Sequence, residues 1–173
     1  MVVCEPSGKL NSRKSKGYVR DVFQQNHMSN LQGNFGIGHV RYPTAGGIGK
    51  EFAQPMYVNT PYGISLAHNG NLTNSKKLAA ELFHAERRHI NTDSDSEVLL
   101  NIFALELSKQ EAVFPKPKDF FAAVEKTHLR INGAYAVVAL ITGYGIVAFR
   151  DPLGIRPLTI GVRKGKNRNE YVV

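Results

Sequence analysis

The stretch "AYAVVALITGYGIVAFRDPLG", Ala134 to Gly154, decides the reading of the fold. Its two apolar runs, "AYAVVALIT" and "GIVAFR", are rich in β-branched and aromatic residues, as strands are. "GYG" between them suits a hairpin. "DPLG" places Pro at the second and Gly at the fourth position of a turn. "LTIGV" and "EYVV" extend the pattern, so strands here follow one another through short connections.

Upstream the period changes. "FGIGHVRYP" reads as a strand stopped by Pro43, and "ISLAH" as another. The stretch between them, "GGIGKEFAQPMYVNTPYG", is loop-rich. A helix is expected from Asn74 or Ser75, with Leu78, Ala79, Leu82 and Phe83 on one face. A second starts near Ser94: Ser94 and Glu97 have capping-box spacing, and Val98, Leu99, Ile102 and Leu105 recur at helical intervals. A third runs from Pro117 to about Leu129, with Phe120, Phe121, Val124 and Leu129 as its core stripe. Segregated elements with short connections predict an α+β fold of antiparallel sheets packed against helices. There is no internal repeat or low-complexity linker. Residues 1–16 read as a poorly defined polar segment.

The 173 residues suffice for one domain with a core, and a hydrophobic content of 42% is that of a globular chain. No apolar run reaches membrane-spanning length, and "MVVCEPSGKLNSRK" lacks the apolar centre of a signal peptide. A cytoplasmic protein without a membrane partner is expected. The single cysteine, Cys4, excludes an intrachain disulfide and a cysteine ligand set for an iron–sulfur cluster. The formal net charge is +8. Basic residues gather at both ends, at Lys9, Arg13, Lys14, Lys16 and Arg20, then Arg163, Lys164, Lys166 and Arg168. They are interleaved with Ser, Asn and Gly and form no nucleic-acid module, so they read as solvated surface charge. "GIGH" has no third glycine for a dinucleotide loop, and "HAERRH" is not the His-Glu-x-x-His of a zinc site, so no metal or cofactor is expected in this chain.

Three segments are more polar than folding requires. In "GHVRYPTAG" the guanidinium of Arg41 can clamp a carboxylate with two parallel hydrogen bonds, or simply be a surface arginine before a turn. In "SLAHNGNLTN" the Asn69-Gly70 pair is a strong hairpin signal. It can equally present a side-chain amide and a backbone N–H to a developing oxyanion. In "NTDSDSE" a carboxylate can cap the helix or bind an ammonium group. An arginine for a carboxylate, an aspartate for an ammonium and an oxyanion hole between them would suit a free amino acid undergoing acyl chemistry.

The motifs "GIGHVRYPTAG", "AQPMYVNTPYG", "AHNGNLTN", "RRHINTDSDSE" and "RDPLGIRPL" resemble, in order, the glutaminase domain of the amidophosphoribosyltransferase family. These are class II glutamine amidotransferases of the N-terminal-nucleophile type. The likeness runs from about Gly17 to Val173, making residues 1–173 a partial glutaminase domain. It implies part of a four-layer αββα sandwich. It assigns Arg41 and Thr44 to the α-carboxylate of glutamine, Asp95 to its α-ammonium, and Asn69 and Gly70 to the oxyanion hole. Asp93 stands where the family often has Thr. The implied reaction releases glutamate and ammonia from glutamine, and the ammonia serves 5-phosphoribosylamine formation in de novo purine biosynthesis.

The family also needs a cysteine as first residue, acting through its thiolate with its own α-amino group as base. Cys4, followed by Glu5-Pro6, does not match that position. The expectation is therefore a chain without its nucleophile, inactive alone. The phosphoribosyltransferase domain, with its phosphoribosyl pyrophosphate and Mg²⁺ sites, is expected to be absent from this chain and to be its partner in a full-length homo-oligomer. The alternative readings are a non-catalytic remnant that binds an amino acid or a partner, and a basic nucleic-acid-binding module.

Overall fold

The computed structural model describes residues 1–41, 49–166 and 168–173. Strands β1 (Val2–Cys4), β2 (Leu10–Ser12) and β3 (Phe35–Ile37) form a small sheet in the order β2-β1-β3. Two short helices, α1 (Val19–Val22) and α2 (Gln25–Ser29), lie between β2 and β3 in the chain. A second sheet has the order β4-β5-β6-β7, from β4 (Met56–Val58), β5 (Ile64–Leu72), β6 (Gly133–Ile141) and β7 (Gly145–Arg150). Between β5 and β6 the chain makes α3 (Ser75–His84), α4 (Asp95–Ser108) and α5 (Pro117–Arg130). The strands β8 (Gly161–Lys164) and β9 (Asn169–Val172) pair only with each other among the described residues. Every pairing is antiparallel, as the run of short connections predicts.

Alternation along the strands gives the four-stranded sheet two apolar faces. Ile64, Leu66, Tyr135, Val137, Ala139 and Ile141 belong to one buried cluster with Leu99, Phe103 and Leu107 of α4 and Phe120 and Val124 of α5. Ala67 and Leu140, turned the other way, pack with Cys4 and Ile37 of the small sheet. The layers are therefore helices, large sheet, small sheet. Helix α4 is central: its buried residues run from Val98 to Leu107 without a break. A helix apolar all round needs packing on all sides, and α3, α5, β4 and β5 supply it. Its one buried carboxylate, Glu106, is paired with Arg130 of α5 at 2.6 Å and with Lys109 at 3.1 Å. A buried charge persists only with such partners.

Several expectations change. Residues 1–16, expected to be poorly defined, contain the β1–β2 hairpin, because Val2 and Cys4 have apolar partners across the sheets. Among its described residues "FGIGHVRYP" is a strand only over Phe35–Ile37, and the loop-rich stretch contains β4. In α3, Leu78 and Leu82 are buried but Phe83 is 56% exposed. In α5 the stripe is Phe120, Ala123, Val124 and Thr127, whereas Phe121 and Leu129 face solvent. Sequence period fixes a face but not its width, and α5 meets α4 along one narrow seam. Ser94 caps α4 through Ser96 N–H, yet Glu97 does not complete a capping box. Its carboxylate is taken by the Asn91 and Thr92 N–H groups and the Thr92 hydroxyl.

Candidate active site

Asn69 and Gly70 do not form a two-residue hairpin turn. They lie inside β5, which stays paired with β6 from Ile64↔Ile141 to Leu72↔Gly133. The glycine is still required. Its φ is +148°, and a Cβ there would sit 2.0 Å from the Ala134 carbonyl oxygen and 2.7 Å from Tyr135 Cα. Only a residue without a side chain fits this crossing.

The ladder then fixes where the Gly70 N–H points. Tyr135, opposite Gly70, uses both main-chain groups on its other side: its carbonyl accepts from Asp151 N–H at 2.8 Å, and its N–H donates to Asp151 Oδ1 at 3.2 Å. Opposed residues in an antiparallel pair turn their main-chain groups both inward or both outward. Gly70 is therefore turned outward, toward the β4 edge, where β4 pairs no further than Leu66. His68 and Leu72 face the same edge. His68 N–H donates to Gln54 Oε1 at 2.6 Å, and Leu72 N–H to Asp95 Oδ2 at 2.9 Å. Between these two satisfied donors, the Gly70 N–H meets no acceptor among the described residues. Asn69, Gly70 and Asn71 are exposed, while the strand on either side is buried.

That edge opens into a cleft of about 770 Å³. Arg41, Asn69, Gly70 and Asp95, four of the five residues singled out in the sequence, all line it. The fifth, Thr44, lies outside the described residues, as does the bend at Pro43. Arg41 follows β3 and places its guanidinium 5.6 Å from the centre of the Phe52 ring. Asp95 opens α4, where the positive end of the helix dipole favours a carboxylate. Asp93 lies in the same wall. Basic groups thus come from the β3 side, at His39 and Arg41, and from Lys76 of α3, and the acidic ones from the start of α4.

Sequence reasoning did not find Gln54, His68 and Ser96. His68 is buried, and its Nδ1 lies 3.0 Å from Ser96 Oγ and 3.9 Å from Asp95 Oδ1. Gln54 Nε2 donates to the same Ser96 Oγ at 3.0 Å. Burial holds the His68 imidazole below its ordinary pKa; Asp95 opposes this and Arg156 adds to it. His39 is lowered too, by burial first and then by His68, Arg41 and the chain amino group. In both rings burial favours the neutral imidazole. Cys4 is not part of the cleft: it is buried on β1 among Ile37, Ala67 and Leu140, with its thiol 3.4 Å from the Glu5 carbonyl oxygen. No group of three His, Cys, Asp or Glu side chains among the described residues could hold a metal ion. No helix among them is long and apolar enough to cross a membrane.

Residues 48–169 match the family model of the glutamine amidotransferase domain. The chain belongs to this family. The amidophosphoribosyltransferase of Pseudomonas aeruginosa is 57% identical over 173 residues, which is all of this chain and 34% of the relative. That of Escherichia coli K12 is 59% identical, again over all of this chain and 34% of the relative. Among solved structures, the glutamine phosphoribosylpyrophosphate amidotransferase from B. subtilis complexed with ADP and GMP superposes with a TM-score of 0.75 at 30% identity. The match covers 95% of this chain and 33% of that one. The chain thus spans about a third of the length of the relatives it matches. The α+β expectation and the resemblance drawn from the motifs both agree with these findings, and the antiparallel sandwich is the family's fold.

Proposed function

We propose that the cleft holds glutamine and that the protein takes ammonia from its side-chain amide, as the glutaminase part of an amidophosphoribosyltransferase. Arg41, with Thr44, takes the α-carboxylate. Asp95 takes the α-ammonium. The Asn69 amide and the Gly70 N–H face the carbonyl oxygen that becomes negative when a thiolate adds to the amide carbon. Collapse of that adduct, with the proton that the nucleophile's own α-amino group took from the thiol passed to the nitrogen, expels ammonia and leaves a thioester, which water cleaves to glutamate and the free thiol. Cys4, packed between the sheets, is not the attacking thiol. The share of these residues is binding, orientation and stabilisation of charge. On the same reading, the ammonia displaces pyrophosphate from phosphoribosyl pyrophosphate in a phosphoribosyltransferase domain, giving 5-phosphoribosylamine.

The outward N–H of Gly70, which meets no acceptor among the described residues and is set between the donors taken by Gln54 and Asp95, carries this reading. One preorganised donor at an oxyanion is worth about 10²–10³ in rate. The test compares glutamate release by this chain with release by a version led by a family segment that begins Cys-Gly. Release by the second alone is expected. Equal release by both would remove the reading, as would a failure of glutamine to bind either.

A further inference from the structure

The Gly70 donor is useful only if the β5 edge cannot relax to satisfy it, and the contacts around it show what prevents this. On one side, Leu72 N–H is held by Asp95, the first residue of α4. On the other, Ser96, the second residue of α4, lies against the His68 ring and accepts from Gln54, which in turn accepts the His68 N–H. The first turn of α4 is thus tied to β5 on both flanks of Gly70. The Gln54, His68 and Ser96 contacts close a ring. Ser96 Oγ accepts from Gln54 and has one proton left, which suits the Nδ1 of a neutral imidazole. All three residues are buried, Ser96 at 2%, Gln54 at 8% and His68 at 3% exposure. These three contacts fix the geometry on the Nδ1 side of the ring, whereas the buried Nε2 of His68 meets no partner among the described residues.

We propose that Gln54 and Ser96 are positioning residues for the glutaminase reaction: acting through His68, they aim the Gly70 N–H into the cleft at a set distance from Asp95. The inference rests on the glutaminase reading of the same cleft. It assigns the two residues a role in stabilising the transition state rather than in binding the amino acid, because the group they aim meets charge that appears only during reaction.

The experiment uses the full-length protein carrying this chain, with glutamine as substrate. Ser96→Ala and Gln54→Leu are expected to lower kcat about tenfold to a hundredfold, part of the full loss of one oxyanion donor, with KM nearly unchanged. Ser96→Thr keeps the hydroxyl and is expected to recover most of the rate. Melting temperatures are read alongside, and Gln54→Leu replaces Ser96→Ala if the latter does not fold. Unchanged kcat in both variants overturns the inference alone. So does a loss that Ser96→Thr shares with Ser96→Ala while both remain folded, or a loss confined to KM. Absence of glutamine turnover in the unaltered protein overturns the underlying reading instead, and the inference with it.

Discussion

Replacing Gly70 by alanine isolates the demand that the β5–β6 crossing makes on the backbone. The new Cβ would stand 2.0 Å from the Ala134 carbonyl oxygen and 2.9 Å from its carbon, at a φ of +148°. Even a weak carbon–oxygen contact is ordinarily about 3.3–3.6 Å. The strands must therefore part by more than an ångström near the end of a nine-residue strand, or β5 must rotate. A side chain at a sparsely populated φ costs about 1–3 kcal/mol. Overpacking a tight contact adds about 1–3 kcal/mol. For a chain of this size each kcal/mol lowers Tm by about 2–4 °C, so Gly70→Ala should melt at least about 4 °C lower. Gly143→Ala is the control. Gly143 has a φ of +81° in the β6–β7 turn, but its Cβ would meet nothing within 4 Å. It should show the backbone part alone. Calorimetric melting of the two variants decides the point. If Gly70→Ala melts no lower than Gly143→Ala, the close crossing is not what requires glycine.

In α5, Phe120→Ala should cost about 3–5 kcal/mol in denaturant unfolding, and Leu129→Ser less than about 0.5 kcal/mol, since only the first side chain is buried. The pH dependence follows from His39, His68 and His128, all held below their ordinary pKa with burial as the leading cause. As pH falls through about 6.5 the unfolded chain takes up protons that the folded chain refuses, so stability is full above that range and declines below it. His68→Gln should flatten the decline, as read by urea midpoints between pH 7 and 5. Cys4→Ala, between the sheets and away from the cleft, should leave glutamine affinity within about twofold by calorimetry.

The fold was legible where side-chain period and turn chemistry act locally. The β6–β7 hairpin and the central stretch of α4 lie where their composition places them. The β1–β2 hairpin was not, because its short strands gain their burial from Ile37, Ala67 and Leu140, which are distant in sequence. The exposed Leu129 misled for the opposite reason: helical spacing does not show how broad the facing seam is. The charged members of the site were visible as residues out of proportion to folding needs, Arg41 and Asp95 above all. Gln54 and Ser96 carry no such mark. A glutamine in a loop and a serine in a helix's first turn look ordinary until the ladder shows that one closes on the His68 N–H and the other on its ring.

On the proposed function, Arg41, Asn69-Gly70 and Asp95 hold one amino acid between them. The direct measurement is an amide-resolved NMR titration with glutamine, run on the unaltered chain and on Asp95→Asn. The Asn variant can still accept the Leu72 N–H while losing the charge that meets the ammonium. The Gly70 and Asn69 side-chain amide signals are expected to shift together on saturation. Asp95→Asn is expected to weaken binding about tenfold to 150-fold, the worth of a charged hydrogen bond of about 1.5–3 kcal/mol. Binding that leaves both signals in place, or an affinity indifferent to Asp95→Asn, would contradict the proposed function.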